Sequence, residues 1–221
     1  MMQWLKKIFH GIGFLIVFPG FCLAQTAPLL GPDHFSATIE SSFDGRTVTS
    51  RFYLSHMKVR LEPQLPGSLA GDTYEIILPG SGTMTMVLPE RHLCMKKNVP
   101  PQTEAQIQAF AARAEKSGVL TVVGHETLDG HPVVVSLLAY HSPNPDTPRT
   151  IKFWNATDLE NVPLREVVTM ANGNVYTLHY KNIDLSDPSP SLFIAPANCS
   201  RFPDIKSLMK NFGMGGHLSI P

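Results

Sequence analysis

The chain is short of charge, of cysteine and of any apolar run long enough to cross a bilayer, and each shortage closes a class of function. Charged residues make up 16% of the sequence, with 18 Lys and Arg balanced by 18 Asp and Glu. No basic excess exists to hold a nucleic-acid backbone. There are three cysteines, Cys22, Cys94 and Cys199, too far apart to give the close ligand pairs of a structural zinc site. The longest apolar stretch, Ile8 to Phe18, is about half the roughly 20 residues that a spanning helix needs, and His10, Gly11 and Gly13 interrupt it. Internal repeats are lacking as well, which leaves out solenoids and propellers.

What the N-terminus does contain is the layout of a secretory signal. Lys6 and Lys7 form a basic start, Ile8 to Phe18 an apolar stretch, Pro19-Gly20 a break, and Cys22-Leu23-Ala24 puts small residues where a signal peptidase reads. Cleavage is expected between Ala24 and Gln25. Cys22 does not make a lipoprotein signal, because bulky Phe21 stands where a small residue is needed. Loss of Lys6 and Lys7 leaves 16 basic against 18 acidic residues, a formal charge of −2. The expected organisation is a signal at 1–24, an extended lead-in at 25–33, one domain at 34–212 and a tail at 213–221. Cys94 and Cys199 are then the only cysteines of the exported chain, and in an oxidising compartment they are either a disulfide or two buried thiols.

Residue periodicity predicts a β-rich domain. Phe35, Ala37 and Ile39 alternate with Ser36, Thr38 and Glu40, Asp44-Gly45 supplies a tight turn, and Thr47 to Leu54 returns as a second strand. Strands are expected at His56 to Glu62, Thr73 to Leu78, Thr83 to Leu88 and His92 to Lys97, six in an antiparallel meander. The period then changes. Thr103 with Gln106 forms a capping box, and Ile107, Phe110, Ala111 and Ala114 share one helical face, so Gln102 to Lys116 reads as an amphipathic helix. Strands resume at Val119 to Leu128 and Pro132 to Tyr140, joined by Asp129-Gly130. Three more, Thr150 to Trp154, Pro163 to Met170 and Asn174 to Asp184, follow a proline-rich loop. Ile205, Leu208, Met209 and Phe212 space out a short C-terminal helix. About eleven antiparallel strands in one small domain must hide their edges by closing or by curling round something apolar.

No sequence pattern amounts to a catalytic constellation. His125-Glu126 begins like a zinc-peptidase motif, but Asp129 stands where the second histidine belongs, and on a strand the two side chains point to opposite faces. Around Ser81 a nucleophile elbow would need glycines at positions held by Pro79 and Thr83, so Gly80-Ser81-Gly82 reads as a loop. No cofactor or metal is implied. Met84, Met86 and Leu88 share one strand face, and pliable methionines suit a surface for variable apolar ligands as well as an ordinary core. Phe52, Leu54 and Trp154 pose the same choice.

Three stretches resemble the LolA-like family of periplasmic outer-membrane lipoprotein carriers and their uncharacterised relatives. They are Gly124-His125-Glu126-Thr127-Leu128-Asp129-Gly130-His131; Ile151-Lys152-Phe153-Trp154 with Val162-Pro163-Leu164-Arg165-Glu166; and Asn172-Gly173-Asn174 with Lys181-Asn182-Ile183 and Leu192-Phe193-Ile194-Ala195-Pro196. The resemblance implies a mainly β, open antiparallel half-barrel of eleven strands, with a helical lid after the sixth strand over an apolar concavity. It implies that Phe52, Leu54, Met84, Met86, Leu88 and Trp154 line that concavity, under a lid built from Ile107, Phe110, Ala111 and Ala114. Two departures stand out. Gln25 to Pro32 is too short and proline-rich for the amphipathic helix that opens the carriers, and Ile205 to Phe212 is an added amphipathic segment. The expected function is non-enzymatic: a soluble periplasmic protein that holds acyl chains or a lipidated client. The alternative is an envelope sensor acting through a protein partner, and a hydrolase with a non-standard site is the third class.

Overall fold

A computed structural model describes residues 31–64, 73–116, 119–141 and 147–202. The signal segment with its Ala24–Gln25 junction, most of the lead-in, the C-terminal helix expected at Ile205 to Phe212 and the tail lie outside the described residues.

Twelve strands form one open sheet in the order β12-β6-β5-β4-β3-β2-β1-β11-β10-β9-β8-β7. They are β1 (His34–Phe43), β2 (Arg46–Ser55), β3 (Lys58–Pro63), β4 (Tyr74–Leu78), β5 (Thr83–Leu88), β6 (Leu93–Asn98), β7 (Leu120–Leu128), β8 (His131–Ala139), β9 (Pro148–Ala156), β10 (Val162–Met170), β11 (Val175–Asp184) and β12 (Ser200–Phe202). The first eleven are antiparallel, as expected. The three-residue β12 is an addition, pairing with β6 in parallel. No apolar alternation marks it, because its position is set by the disulfide beside it.

Among the described residues one α-helix, α1 (Glu104–Lys116), follows the sixth strand. Its start is held by the predicted box: the Thr103 N–H donates to Gln106 Oε1 at 2.8 Å, and the Gln106 N–H to Thr103 Oγ1 at 3.3 Å. At Asp44-Gly45 and Asp129-Gly130 both residues have positive φ, the backbone that a two-residue hairpin matched to strand twist requires.

One turn escaped the sequence. His56 and Met57 have φ of 45° and 68°, so the third strand starts at Lys58 and not at His56. Non-glycine residues are rare there. Two anchors hold them: the His56 N–H donates to the Asp33 carbonyl at 2.8 Å, and the Met57 side chain packs against two apolar clusters.

The sheet register sorts the residues onto two faces. The inner face, on which α1 lies, carries Ile107, Ala111 and Ala114 against Leu138, Ile151, Phe153, Val168 and Met170. It continues across β11, β1, β2 and β3 through Leu178, Tyr180, Ile39, Phe35, Leu54 and Leu61. On the outer face of β4 to β6, Tyr74, Ile76, Val87 and Cys94 are covered by Phe193, which the chain brings back after β11. Arg60 fastens this return, lying 3.6 Å over the Tyr74 ring and donating to the Leu192 carbonyl at 2.9 Å. The Cys94–Cys199 disulfide closes it, with Cα atoms 5.6 Å apart and a sequence separation of 105.

Candidate functional site

The candidate site is the inner face of the sheet. Pairing of Phe52 with Leu61, Ile77 with Met84 and Met86 with Met95 puts Phe52, Leu54, Met84, Met86 and Leu88 on that face, with Leu93 and Met95 continuing it. Leu54, Met84 and Met86 are buried, while Phe52 and Leu88 are half-buried. Phe35, Phe52 and Tyr180 form an aromatic group in its middle, with ring centroids 5.3 to 6.3 Å apart.

Trp154 is not on this face. It pairs with Val135 and Arg165, one residue out of phase with Phe153, and packs on the outer side with Val133, Ala156 and Leu164. Its indole N–H donates to Glu126, and Lys152 and Arg165 lie 4.5 and 5.2 Å from the ring. In Ile151-Lys152-Phe153-Trp154 both aromatics looked usable, and strand alternation gives the inner position to Phe153.

Three of the four lid residues pack on the sheet. Ile107, Ala111 and Ala114 are buried, whereas Phe110 is 41% exposed and stacks on Tyr140. Phe110 lies about 60° round the helix from Ile107, at the margin of the buried stripe. Two of the three sheet-facing residues are alanines, so α1 is held by little apolar area.

Two acids lie inside the inner face. Glu166 of β10 sits between Phe153 and Leu178 and accepts a 2.9 Å hydrogen bond from the Tyr180 hydroxyl. Burial pushes its carboxyl up to about 8, against the opposing effect of that bond. Glu75 of β4 sits between Leu61 and Met86, is 3% exposed, and has a buried Oε2 without a hydrogen-bond partner. Burial raises it to about 7, with the Lys97 charge pulling the other way. An alternating strand with one polar residue on its apolar face was the only available clue. Near neutral pH both acids hold their protons for a large share of the time, which keeps the face close to uncharged.

Among the described residues, the polar clusters elsewhere do not assemble a nucleophile. Ser55 donates to Asp187 at 2.8 Å, and His56 lies between two carboxylates, its Nδ1 2.8 Å from Asp33 and its Nε2 3.9 Å from Asp187, so the hydroxyl and the imidazole both turn to Asp187 and not to each other. The Ser81 hydroxyl donates to the Leu78 carbonyl at 3.1 Å, and Glu126 is engaged by Trp154. Among the described residues, no group of three or more His, Cys, Asp and Glu is placed to hold a metal ion. No described helix is long and apolar enough to cross a membrane.

An open antiparallel sheet with one helix after its sixth strand is the architecture that the three resembling stretches imply. The fold class expected from that resemblance, mainly β with one open antiparallel sheet, is the one observed. Among solved structures the chain is similar to an uncharacterised conserved protein from Thermus thermophilus, with a TM-score of 0.52 and 14% identity over 77% of this chain and 90% of that one. That likeness speaks for the fold alone. Looser matches are a LolA superfamily protein from Nitrosomonas europaea, with TM-score 0.34 and 13% identity over 84% of this chain and 97% of that one, and MucB in the Pseudomonas aeruginosa MucA/MucB complex, with TM-score 0.45 and 16% identity over 76% of this chain. The chain spans 57% of the MucB chain. Superpositions this loose carry no argument about function. No family model and no curated protein matches the chain. The functional reading of this chain therefore rests on its own residues.

Proposed function

We propose that the protein is a non-enzymatic periplasmic binding protein that holds acyl chains, alone or on a lipidated client, against the inner face of its sheet. The observation that carries this reading is the continuity of that face. Apolar residues run from Met95 on β6 through Met86, Leu61, Leu54, Phe35, Ile39 and Leu178 to Phe153 on β9, interrupted only by the buried acids Glu75 and Glu166, with the exposed Lys97 at the β6 margin. Each methylene taken up is worth about 0.8 kcal/mol. A cover with two alanines among its three sheet-facing residues can be displaced by a chain entering beneath it. Export, if it follows the N-terminal signal, would put the protein where acyl chains and lipidated proteins cross between membranes.

Native mass spectrometry of protein purified gently from periplasm tests the reading. Adducts of lipid mass are expected, as is saturable binding of a fluorescent fatty acid. Repeated ligand-free spectra together with no probe binding would refute it.

A second reading, an envelope sensor working through a protein partner, is favoured by β7. This strand ends the sheet, and Val122 and Val123 are 54% and 51% exposed on it. An open apolar edge can accept a partner's strand. Pull-down from envelope extracts that returns a stoichiometric protein and no lipid would favour the sensor.

A further inference from the structure

The inner face of β4 to β6 holds a chemistry that acyl binding does not use. Glu75, Met86 and Met95 pair directly in one row across three strands, and Met84 lies two residues along β5 from Met86. Directly opposed side chains on antiparallel strands start about 4.5 to 5.5 Å apart at Cβ, and neighbours on one strand face start about 7 Å apart. With three rotatable bonds each, the methionines can bring their sulfurs to a common point. All three are nearly buried, with exposures of 7%, 5% and 9% for Met84, Met86 and Met95. Glu75 stands at the end of that row beside Met86, and its Oε2 is buried and without a hydrogen-bond partner.

We infer that Met84, Met86, Met95 and Glu75 form a binding site for copper(I). A buried carboxylate lacking a partner is costly unless something compensates it. An acyl chain cannot, and a cation can. Thioethers select copper(I), whereas magnesium and calcium require oxygen ligands and zinc prefers imidazole or thiolate. Charge points the same way: one monovalent ion beside one ionised carboxylate leaves no net charge in the apolar face. Cys94 and Cys199 are joined to each other and offer no competing thiolate. Lys97, opposite Met84, acts on Glu75 through its charge without a hydrogen bond to it, and being exposed it can turn its ammonium to water when the ion binds.

The test is titration of the full exported chain with copper(I) under ascorbate, in competition with bicinchoninate. One equivalent should bind with a Kd below about 1 μM, and X-ray absorption should show sulfur neighbours. The triple variant M84L/M86L/M95L keeps the apolar volume. It should bind copper(I) at least about 100-fold more weakly while keeping the urea midpoint of the parent. Glu75→Gln should weaken copper(I) at least about tenfold, and Met57→Leu should leave it unchanged. No binding by the parent chain, or equal binding by the triple variant, overturns the inference. Acyl-probe uptake, read in the same samples, tests the proposed function separately.

Discussion

Replacing Glu166 with glutamine should make the protein more stable, by an amount that grows as pH rises from 4.5 to 8. The carboxyl ordinarily titrates near 4.5 and is pushed up to about 8 in the folded protein by burial. Between those values the native state keeps a proton that the unfolded chain has released. Stability must therefore fall as pH rises from 4.5 to 8, and it levels off above that. At about 1.4 kcal/mol per pH unit, the loss at pH 8.5 is about 5 kcal/mol. A glutamine in its place would be neutral throughout and would still offer an oxygen to the Tyr180 hydroxyl, which now donates to Glu166 at 2.9 Å. Urea unfolding of parent and Glu166→Gln, followed by circular dichroism from pH 4.5 to 9, measures the effect. The difference in stability should start near zero, grow to pH 8 and then hold steady. Glu75, raised to about 7, leaves a residual slope of its own in the variant, worth about 3 kcal/mol by pH 7. A pH-independent difference, or a variant less stable at pH 8.5, would refute the placement of Glu166 inside the apolar face.

Reducing the Cys94–Cys199 bond should lower stability by up to about 4.7 kcal/mol, the chain-entropy value for a loop near 100 residues, seen as a lower urea midpoint in dithiothreitol. Phe193→Ala should cost about 3 to 5 kcal/mol by the same assay, because Phe193 is buried against Tyr74, Ile76 and Val87. Thr103→Ala removes the cap of α1 and should cost about 1 kcal/mol, with faster amide exchange confined to the first turn of the helix. Trp154→Phe should leave fatty-acid affinity unchanged, while Phe52→Ala should weaken it about tenfold or more; equal effects from the two would contradict the assignment of faces.

Most of the strand plan was legible because its signals are local. Asp44-Gly45 and Asp129-Gly130 carry the residues that left-handed backbone prefers, and alternation in β1 and the Thr103–Gln106 pair act over a few positions. Non-local contacts defeated the reading. His56 and Met57 turn the chain because Asp33 and two distant clusters hold them, and nothing in the dipeptide announces it. Phe193 covers an outer face whose apolar residues, Tyr74, Ile76 and Val87, look like any strand's second side, and β12 adds a parallel edge strand that no local period announces. Within the site, the face shared by Phe52, Leu54, Met84, Met86 and Leu88 follows from the register between strands, which single-strand periodicity leaves open. The same register moved Trp154 to the other side. Glu75 and Glu166 were passed over because a lone acid on a strand is ordinarily exposed, and only the packed neighbours show that these two are not.

The most direct test of the central claim is the mass of whatever the protein carries. Protein released from periplasm without detergent and sprayed under native conditions should retain an adduct of acyl-lipid mass, and Phe52→Arg, which puts a fixed charge on the inner face, should lose it. Parent protein that is ligand-free in every preparation, or a Phe52→Arg variant that keeps the same adduct, would contradict an inner face built to hold acyl chains.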